Sequence, residues 1–281
     1  MKCLRNEDLR KYTSIQIGGN AKVMYIPEST EELLELAKNH SVGKIIGGGS
    51  NLLIDDCEFD IVTNLRFFDS SIEDLGKGEY RVGASTRLQK LINTINENGY
   101  GGIEYLYSVP GLVGGAVVMN AGRGKQYNKC ISDHIISVTF IKDGKLIELP
   151  KEECTFEYRS SIFKRNPSYV VTSVRFAFPS MSSEDSAKAK KERLELCKKA
   201  QDNSHPNFGT VFKQADPRIM GIVRRMRLGN KRAHFSAKTP NWIINENNAS
   251  YNDVITAIRK VECLHRMLGR KCEREVIVWE K

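Results

Sequence analysis

The stretch that most constrains this chain is SVPGLVGGAVVMNAG, Ser108 to Gly122, with four glycines and no charged residue in 15 positions. Connecting loops are normally polar and solvated, so an uncharged glycine-rich run has to pack its backbone against something. Pro110-Gly111 makes a turn, Gly114-Gly115 bares the backbone, and AVVMNAG can begin a buried element. Two partners satisfy the pattern: a flat, partly apolar cofactor carrying a diphosphate, or a crossing secondary-structure element. The residues alone leave both open.

A second glycine segment, IIGGGSN, covers Ile45 to Asn51. Gly47, Gly48 and Gly49 follow a strand pattern, and bare backbone there can approach a ligand and offer successive N–H groups to phosphate oxygens. The continuation LLI reads as strand, not helix, which separates the segment from the dinucleotide fingerprint G-x-G-x-x-G. A plain tight turn accounts for three glycines about as well.

Around these segments the periodicity alternates. AKVMYIPES reads as a strand. Residues 29–40 read as a helix with a Ser29-x-x-Glu32 capping box and an apolar stripe at Leu33, Leu34, Leu36 and Ala37. Residues 86–99 give a second amphipathic helix, with Leu88, Leu91, Ile92 and Ile95 on one face and Gly99 closing it. HIISVTFIKDGKLIELP reads as a hairpin turning at Asp143-Gly144. A serine-rich linker then runs into a charged helix, which puts a domain boundary near 180. Beyond it come a helix ending at Gly269 and a terminal strand, REVIVWE.

The length of 281 residues allows one large domain or two. No run approaches the roughly 18–20 apolar residues of a membrane span, and the N-terminus lacks the apolar core of a signal peptide, so a cytoplasmic protein without membrane insertion is expected. The seven cysteines show no C-x-x-C pairing and no histidines at zinc spacing; reduced thiols and no metal are expected. The net charge of +9 is concentrated between Lys213 and Lys238. That block suits a solvated face or a pocket for an anionic small molecule. Nucleic acid is disfavoured, because the block holds few aromatics and no helix-turn-helix or RNP-like pattern.

Taken in order, TSIQIGGNA (13–21), IIGGGSNLLI (45–54), VPGLVGGAVVMNAG (109–122), FEYRSSIF (156–163), GTVFK (209–213) and REVIV (274–278) resemble the UDP-N-acetylenolpyruvoylglucosamine reductase (MurB) family over nearly the whole chain. The short interval from Arg159 to Thr210 is similar to its compact, type II branch. The resemblance implies an α+β fold: an FAD-binding domain of the vanillyl-alcohol-oxidase or PCMH type over 1–180, in two subdomains split near 70–80. A smaller α+β substrate-binding domain over 181–281 would follow, with the C-terminal strand returning to the active site. It implies noncovalent FAD held by Gly47, Gly48, Gly49, Ser50, Asn51, Pro110, Gly111, Gly114, Gly115, Ala116, Asn120 and Gly122. It further implies that NADPH reduces the flavin, whose N5 delivers hydride to the enolpyruvyl double bond, giving UDP-N-acetylmuramate for peptidoglycan. The expected partners are the nucleotide-sugar substrate and NADPH, in a monomer or weak oligomer.

Hydride addition to an enol ether conjugated with a carboxylate builds charge on that carboxylate, which calls for a fixed cation and hydrogen-bond donors. Arg159 matches the family arginine, and its guanidinium fork fits a carboxylate. Glu275 matches the family glutamate; in period-2 geometry Glu273 would face the same side. Thr210 occupies the position where the family has a proton-donating serine or cysteine, with one more methyl and a stiffer χ1. Lys213 and Gln214 follow where the family contacts the substrate diphosphate.

KRAHFSAKTPNW (231–242) departs from the family pattern: Lys231 and Arg232 stand at glycine positions and His234 at a glutamine position, while Ser236, Lys238 and Asn241 match. These cations are expected to reshape part of the substrate domain. A paralogue acting on a different nucleotide-linked or anionic substrate, and a non-catalytic flavin- or nucleotide-binding protein, are the competing readings.

Overall fold

The computed structural model describes residues 1–39, 42–124 and 127–281. The chain runs β1 (Lys2–Asp8), β2 (Asn20–Ile26), α1 (Thr30–Asn39), β3 (Lys44–Ile46), β4 (Leu52–Ile54), β5 (Glu58–Asn64), β6 (Ile72–Gly76) and β7 (Glu79–Gly83). There follow α2 (Leu88–Glu97), α3 (Val113–Val118), β8 (Ile135–Lys142), β9 (Lys145–Pro150), α4 (Ile162–Arg165), β10 (Val170–Ala177) and α5 (Ser183–Ala200). The last part is β11 (Asn207–Thr210), β12 (Phe212–Gln214), α6 (Pro217–Met226), β13 (Ala233–Phe235), β14 (Trp242–Asn245), α7 (Tyr251–Met267), β15 (Glu273–Arg274) and β16 (Ile277–Trp279). His40, the last residue of the helix expected over 29–40, lies outside the described residues.

The chain forms two compact units: Met1–Leu4, Val23–Gly48 and Ile61–Cys197 in the first, Arg5–Lys22, Gly49–Asp60 and Lys198–Lys281 in the second. This differs from a boundary near 180. The division falls inside α5, and residues 49–60 join the second unit because β16 pairs in parallel with β4, Ile277 opposite Leu52 and Trp279 opposite Ile54.

In the first unit an antiparallel sheet in the order β6-β7-β10-β8-β9 forms the base. The β8–β9 turn is built by Asp143 (φ 50°) and Gly144 (φ 69°), the left-handed pair a tight hairpin needs. Leu88, Leu91, Ile92 and Ile95 of α2 are all buried and join Tyr80, Val82, Phe140, Val174 and Phe176 in one core. At α1, Ser29 Oγ accepts from the Glu32 N–H and Glu32 Oε2 from the Glu28 N–H, so the glutamate reaches one residue upstream of the expected box.

The second unit centres on α7, whose Ser250 and Asp253 form a capping box. Its inner face, Val254, Ile255, Ile258 and Val261, packs with Phe208, Phe212, Phe235, Ile243 and Val276. The basic block contains α6, which the periodicity reading passed over: Asp216 caps it, Pro217 opens it, and Ile219, Met220 and Val223 are its buried side. Its arginines 218, 224 and 225 are exposed, so most of that block is a solvated face.

Candidate active site

In the first unit the two glycine segments meet. A β-carbon at Gly48 would stand 3.4 Å from Gly111 Cα, and one at Gly47 would lie 3.6 Å from Leu112 Cδ1. Gly114 is pressed on Ala84, donating its N–H to the Ala84 carbonyl at 2.8 Å. Gly115, one residue on, is different: nothing in the protein lies within 4 Å of its would-be β-carbon. Val113–Val118 is helical, so the uncharged run ends as a short helix whose bare Gly115 side is exposed. Pro110 is also exposed, and Ala116 is buried.

The end of that run holds Arg159. Gly122 bridges Cys130, and a side chain at Gly122 would collide with the Lys129 carbonyl. The Gly122 carbonyl accepts a 2.9 Å hydrogen bond from Arg159 Nη2. Asn120 Nδ2 donates to the Glu157 carbonyl at 2.9 Å, and Ser161 Oγ to the Val118 carbonyl at 2.7 Å, so both ends of the Arg159 turn are tied to the glycine segment. The Asn120 amide, expected on the cofactor, therefore bonds to protein here. Arg159 itself sits at φ 56°, a left-handed conformation that costs free energy for a non-glycine residue and clusters at functional sites. Lys164 Nζ holds its carbonyl at 3.0 Å.

In the second unit the chain brings Asn51, Thr210 and Glu275 to one backbone junction. The Val211 carbonyl accepts from the N–H of Glu275 at 2.7 Å and of Val276 at 3.3 Å. Asn51 Nδ2 donates to the Glu275 carbonyl at 3.2 Å, and the Ile277 N–H to the Asn51 carbonyl at 3.1 Å. Gly49 has φ +64°, and a β-carbon there would fall 1.8 Å from the Tyr12 carbonyl, so only glycine fits. Ser50 lies half-buried in the same turn. Thr210 ends β11, half-buried, with its hydroxyl unspent on hydrogen bonds among the described residues.

Asn241 fixes this junction and was not among the expected site residues. Its Oδ1 accepts from the Phe212 N–H at 3.0 Å, its Nδ2 donates to the Phe212 carbonyl at 2.7 Å, and its own carbonyl takes the Val211 N–H. The match of Asn241 to the family pattern was the available signal.

The terminal REVIV does not form one strand. β15 stops at Arg274 and β16 begins at Ile277, so the alternation that would put Glu273 and Glu275 on one side is broken. Glu273 instead pairs with Lys213, Nζ to Oε2 at 2.8 Å. Lys213, expected on a diphosphate, thus has an acidic partner, whereas Gln214 is exposed on a cleft of about 300 Å³ with Asp216, Arg270 and Lys271.

The altered 231–242 segment is accommodated locally. Lys231 and Arg232 are exposed on a turn that Asn230 closes, accepting the Arg232 N–H at 2.8 Å. His234 is buried, with Nε2 2.7 Å from Glu246 and 2.8 Å from Arg227. The hydrogen bond from His234 holds the Glu246 carboxyl below its ordinary range. Ser236 bonds to Asp202 and accepts the N–H groups of Lys238 and Thr239.

Among the described residues no helix is long and apolar enough to cross a membrane, and no group of His, Cys, Asp or Glu could hold a metal. The seven cysteines are free.

A family model described as an FAD binding domain matches residues 21–150. Together with the two glycine segments in contact, this makes the chain an FAD-dependent oxidoreductase with a PCMH-type α+β fold. Two similar curated relatives carry the name UDP-N-acetylenolpyruvoylglucosamine reductase. That of Fusobacterium nucleatum is 29% identical over 99% of both chains, and that of Thermotoga sp. (strain RQ2) is 34% identical over 97% of this chain and 92% of the relative. Among solved structures, the enzyme of that name (MurB) from Thermus caldophilus superposes with a TM-score of 0.79 at 28% identity, covering 99% of this chain and 98% of that one. The chain belongs to the UDP-N-acetylenolpyruvoylglucosamine reductase (MurB) family.

Proposed function

We propose that the chain reduces the enolpyruvyl ether of UDP-N-acetylglucosamine to UDP-N-acetylmuramate, with FAD as bound cofactor and NADPH as reductant, in peptidoglycan precursor synthesis. The observation that carries this reading is the junction at Val211, the residue after Thr210, whose carbonyl accepts the Glu275 N–H. Family membership over nearly the full length supports it. The bare Gly115 face, the contact of Gly48 with Gly111 and the left-handed Gly49 fit a cofactor cradle, and Gly47, Ser50, Asn51, Pro110, Gly111, Gly114 and Ala116 would complete the hold. The flavin supplies the hydride that adds to the double bond.

Arg159 then holds the substrate carboxylate, on which charge accumulates as hydride arrives; its orientation is fixed through the Gly122 carbonyl. The Glu275 carboxyl contributes a shared proton to that charged group. The Thr210 hydroxyl delivers a proton to the α-carbon, and being unspent on protein it is available to do so. Gln214 contributes an amide to the diphosphate, and Lys213 joins it by exchanging Glu273 for phosphate. A cytoplasmic location, and roles in cell shape and division, go with this reading.

Incubating the purified protein with NADPH and the enolpyruvyl nucleotide should yield a product heavier by two hydrogens; NADPH oxidation without that product would refute the substrate assignment. The Lys213–Glu273 pair favours one second reading, a related reductase with a different anionic nucleotide substrate. Thermal shift across UDP-sugars separates the two, since the true ligand raises the melting temperature.

A further inference from the structure

The short helix α3 closes on a residue of which the backbone asks only a left-handed conformation. The Ala121 N–H returns to the Ala116 carbonyl at 2.8 Å and the Asn120 N–H to the Val117 carbonyl at 3.0 Å, with Asn120 at φ 43°. Glycine is the usual residue at this place, because it has no β-carbon to resist a positive φ. What asparagine adds is its amide. Asn120 is 4% exposed, and protein engages both ends of that amide. Nδ2 donates to the Glu157 carbonyl at 2.9 Å, and Oδ1 accepts from the Ser132 N–H at 3.4 Å.

The Glu157 carbonyl opens the turn that carries Arg159. Glu157 and Ser160 exchange backbone bonds of 3.0 and 3.1 Å across that turn, and Arg159 inside it holds φ 56°. A left-handed residue other than glycine persists only where its surroundings over-determine it. Here alternate residues of the glycine segment supply the constraint. The Val118 carbonyl takes Ser161 Oγ after Arg159, the Asn120 amide takes the Glu157 carbonyl before it, and the Gly122 carbonyl takes the guanidinium itself. Val118 and Gly122 act through backbone that no substitution removes. Of the three, Asn120 acts through its side chain.

We propose that Asn120 is a positioning residue for Arg159: its amide fixes the turn that aims the guanidinium, and it does not touch the flavin. The proposal rests on the reading of Arg159 as partner of the substrate carboxylate. A guanidinium already aimed by its turn needs no reorganisation when charge arrives on that carboxylate. Released at Glu157, the turn lets Arg159 relax from its left-handed conformation, and the fork loses its aim.

The test uses Asn120→Gly, which suits the left-handed backbone and removes only the amide, and Asn120→Asp, which keeps the shape and loses the donor. FAD dissociation constants are measured by flavin fluorescence on apoprotein. On holoenzyme, the reduction of the flavin by NADPH and its reoxidation by the enolpyruvyl nucleotide are timed separately. Both variants should slow reoxidation about tenfold or more, with FAD affinity and reduction by NADPH within about twofold of wild type. In an Arg159→Met background Asn120→Gly should add no further loss, because the two residues act as one unit. Weakened FAD with unchanged reoxidation per bound flavin would make Asn120 a cofactor contact. Half-reactions slowed equally, or neither slowed, would leave it a helix terminator. Each of these outcomes overturns the proposal, and should Asn120→Gly fail to fold, Asn120→Asp decides alone. An Arg159→Met protein that reoxidises at the wild-type rate would refute the Arg159 reading itself, a distinct outcome.

Discussion

Thr210 stands where the family has a proton-donating serine or cysteine, and its hydroxyl makes no hydrogen bond among the described residues. The residue before it, Gly209, has φ +78° and nothing within 4 Å of its would-be β-carbon. A general acid is worth roughly 10²–10⁴ in rate, so Thr210→Ala should lower turnover about a hundredfold or more. Thr210→Ser should keep or raise it; equal rates in all three proteins would hand the proton step to water. His134 adds a stability effect on the same scale. Burial, the largest cause, holds its imidazole below the ordinary value. Above about pH 6.5 both folded and unfolded forms are neutral there; below it the unfolded chain takes up the proton first, so stability is lost as pH falls. Denaturation midpoints should decline from pH 7 toward 5, and His134→Gln should flatten that part of the slope. Residues of this kind show how unevenly the site was legible. Arg159, Thr210 and Glu275 could be proposed because each stands in a short local motif that resembles the family's. Their neighbours could not: Glu273 finds Lys213, and His234 finds Glu246, only through long-range pairing that no spacing rule encodes.

At the scale of elements, local signals and outcomes coincide where one helix or turn decides its own structure. The α2 stripe and the Asp143-Gly144 hairpin were readable because periodicity and turn chemistry act over a few residues. α6 was hidden because its three buried positions sit among arginines, although Asp216-Pro217 was a usable start signal. The break between β15 and β16 was illegible because it comes from Val211 accepting two successive N–H groups, a tertiary event. Two element-level variants test the account. Gly115→Ala in α3 should leave the apoprotein as stable or steadier by roughly 0.5–1 kcal/mol, because alanine suits a helix better. The same variant should bind FAD more weakly; unchanged flavin affinity would remove Gly115 from the cradle. Trp279 is 6% exposed and meets Phe59 edge-on at 6.0 Å, anchoring β16 beside β4. Trp279→Ala should cost about 3–5 kcal/mol in denaturant unfolding and loosen with it the junction at Glu275, the residue after β15.

For the whole molecule, the central claim is that one chain carries electrons from a nicotinamide nucleotide to an enolpyruvyl nucleotide-sugar. Fold and family make it a flavoprotein oxidoreductase, and Arg159, Thr210 and Glu275 are the residues we propose for its substrate chemistry. The most direct measurement follows flavin absorbance without oxygen. The purified protein should be yellow, NADPH should bleach it, and UDP-N-acetylglucosamine enolpyruvate should restore the colour in stoichiometric amount, with Thr210→Ser behaving alike. A reduced flavin that stays bleached on adding the enolpyruvyl nucleotide would contradict the account.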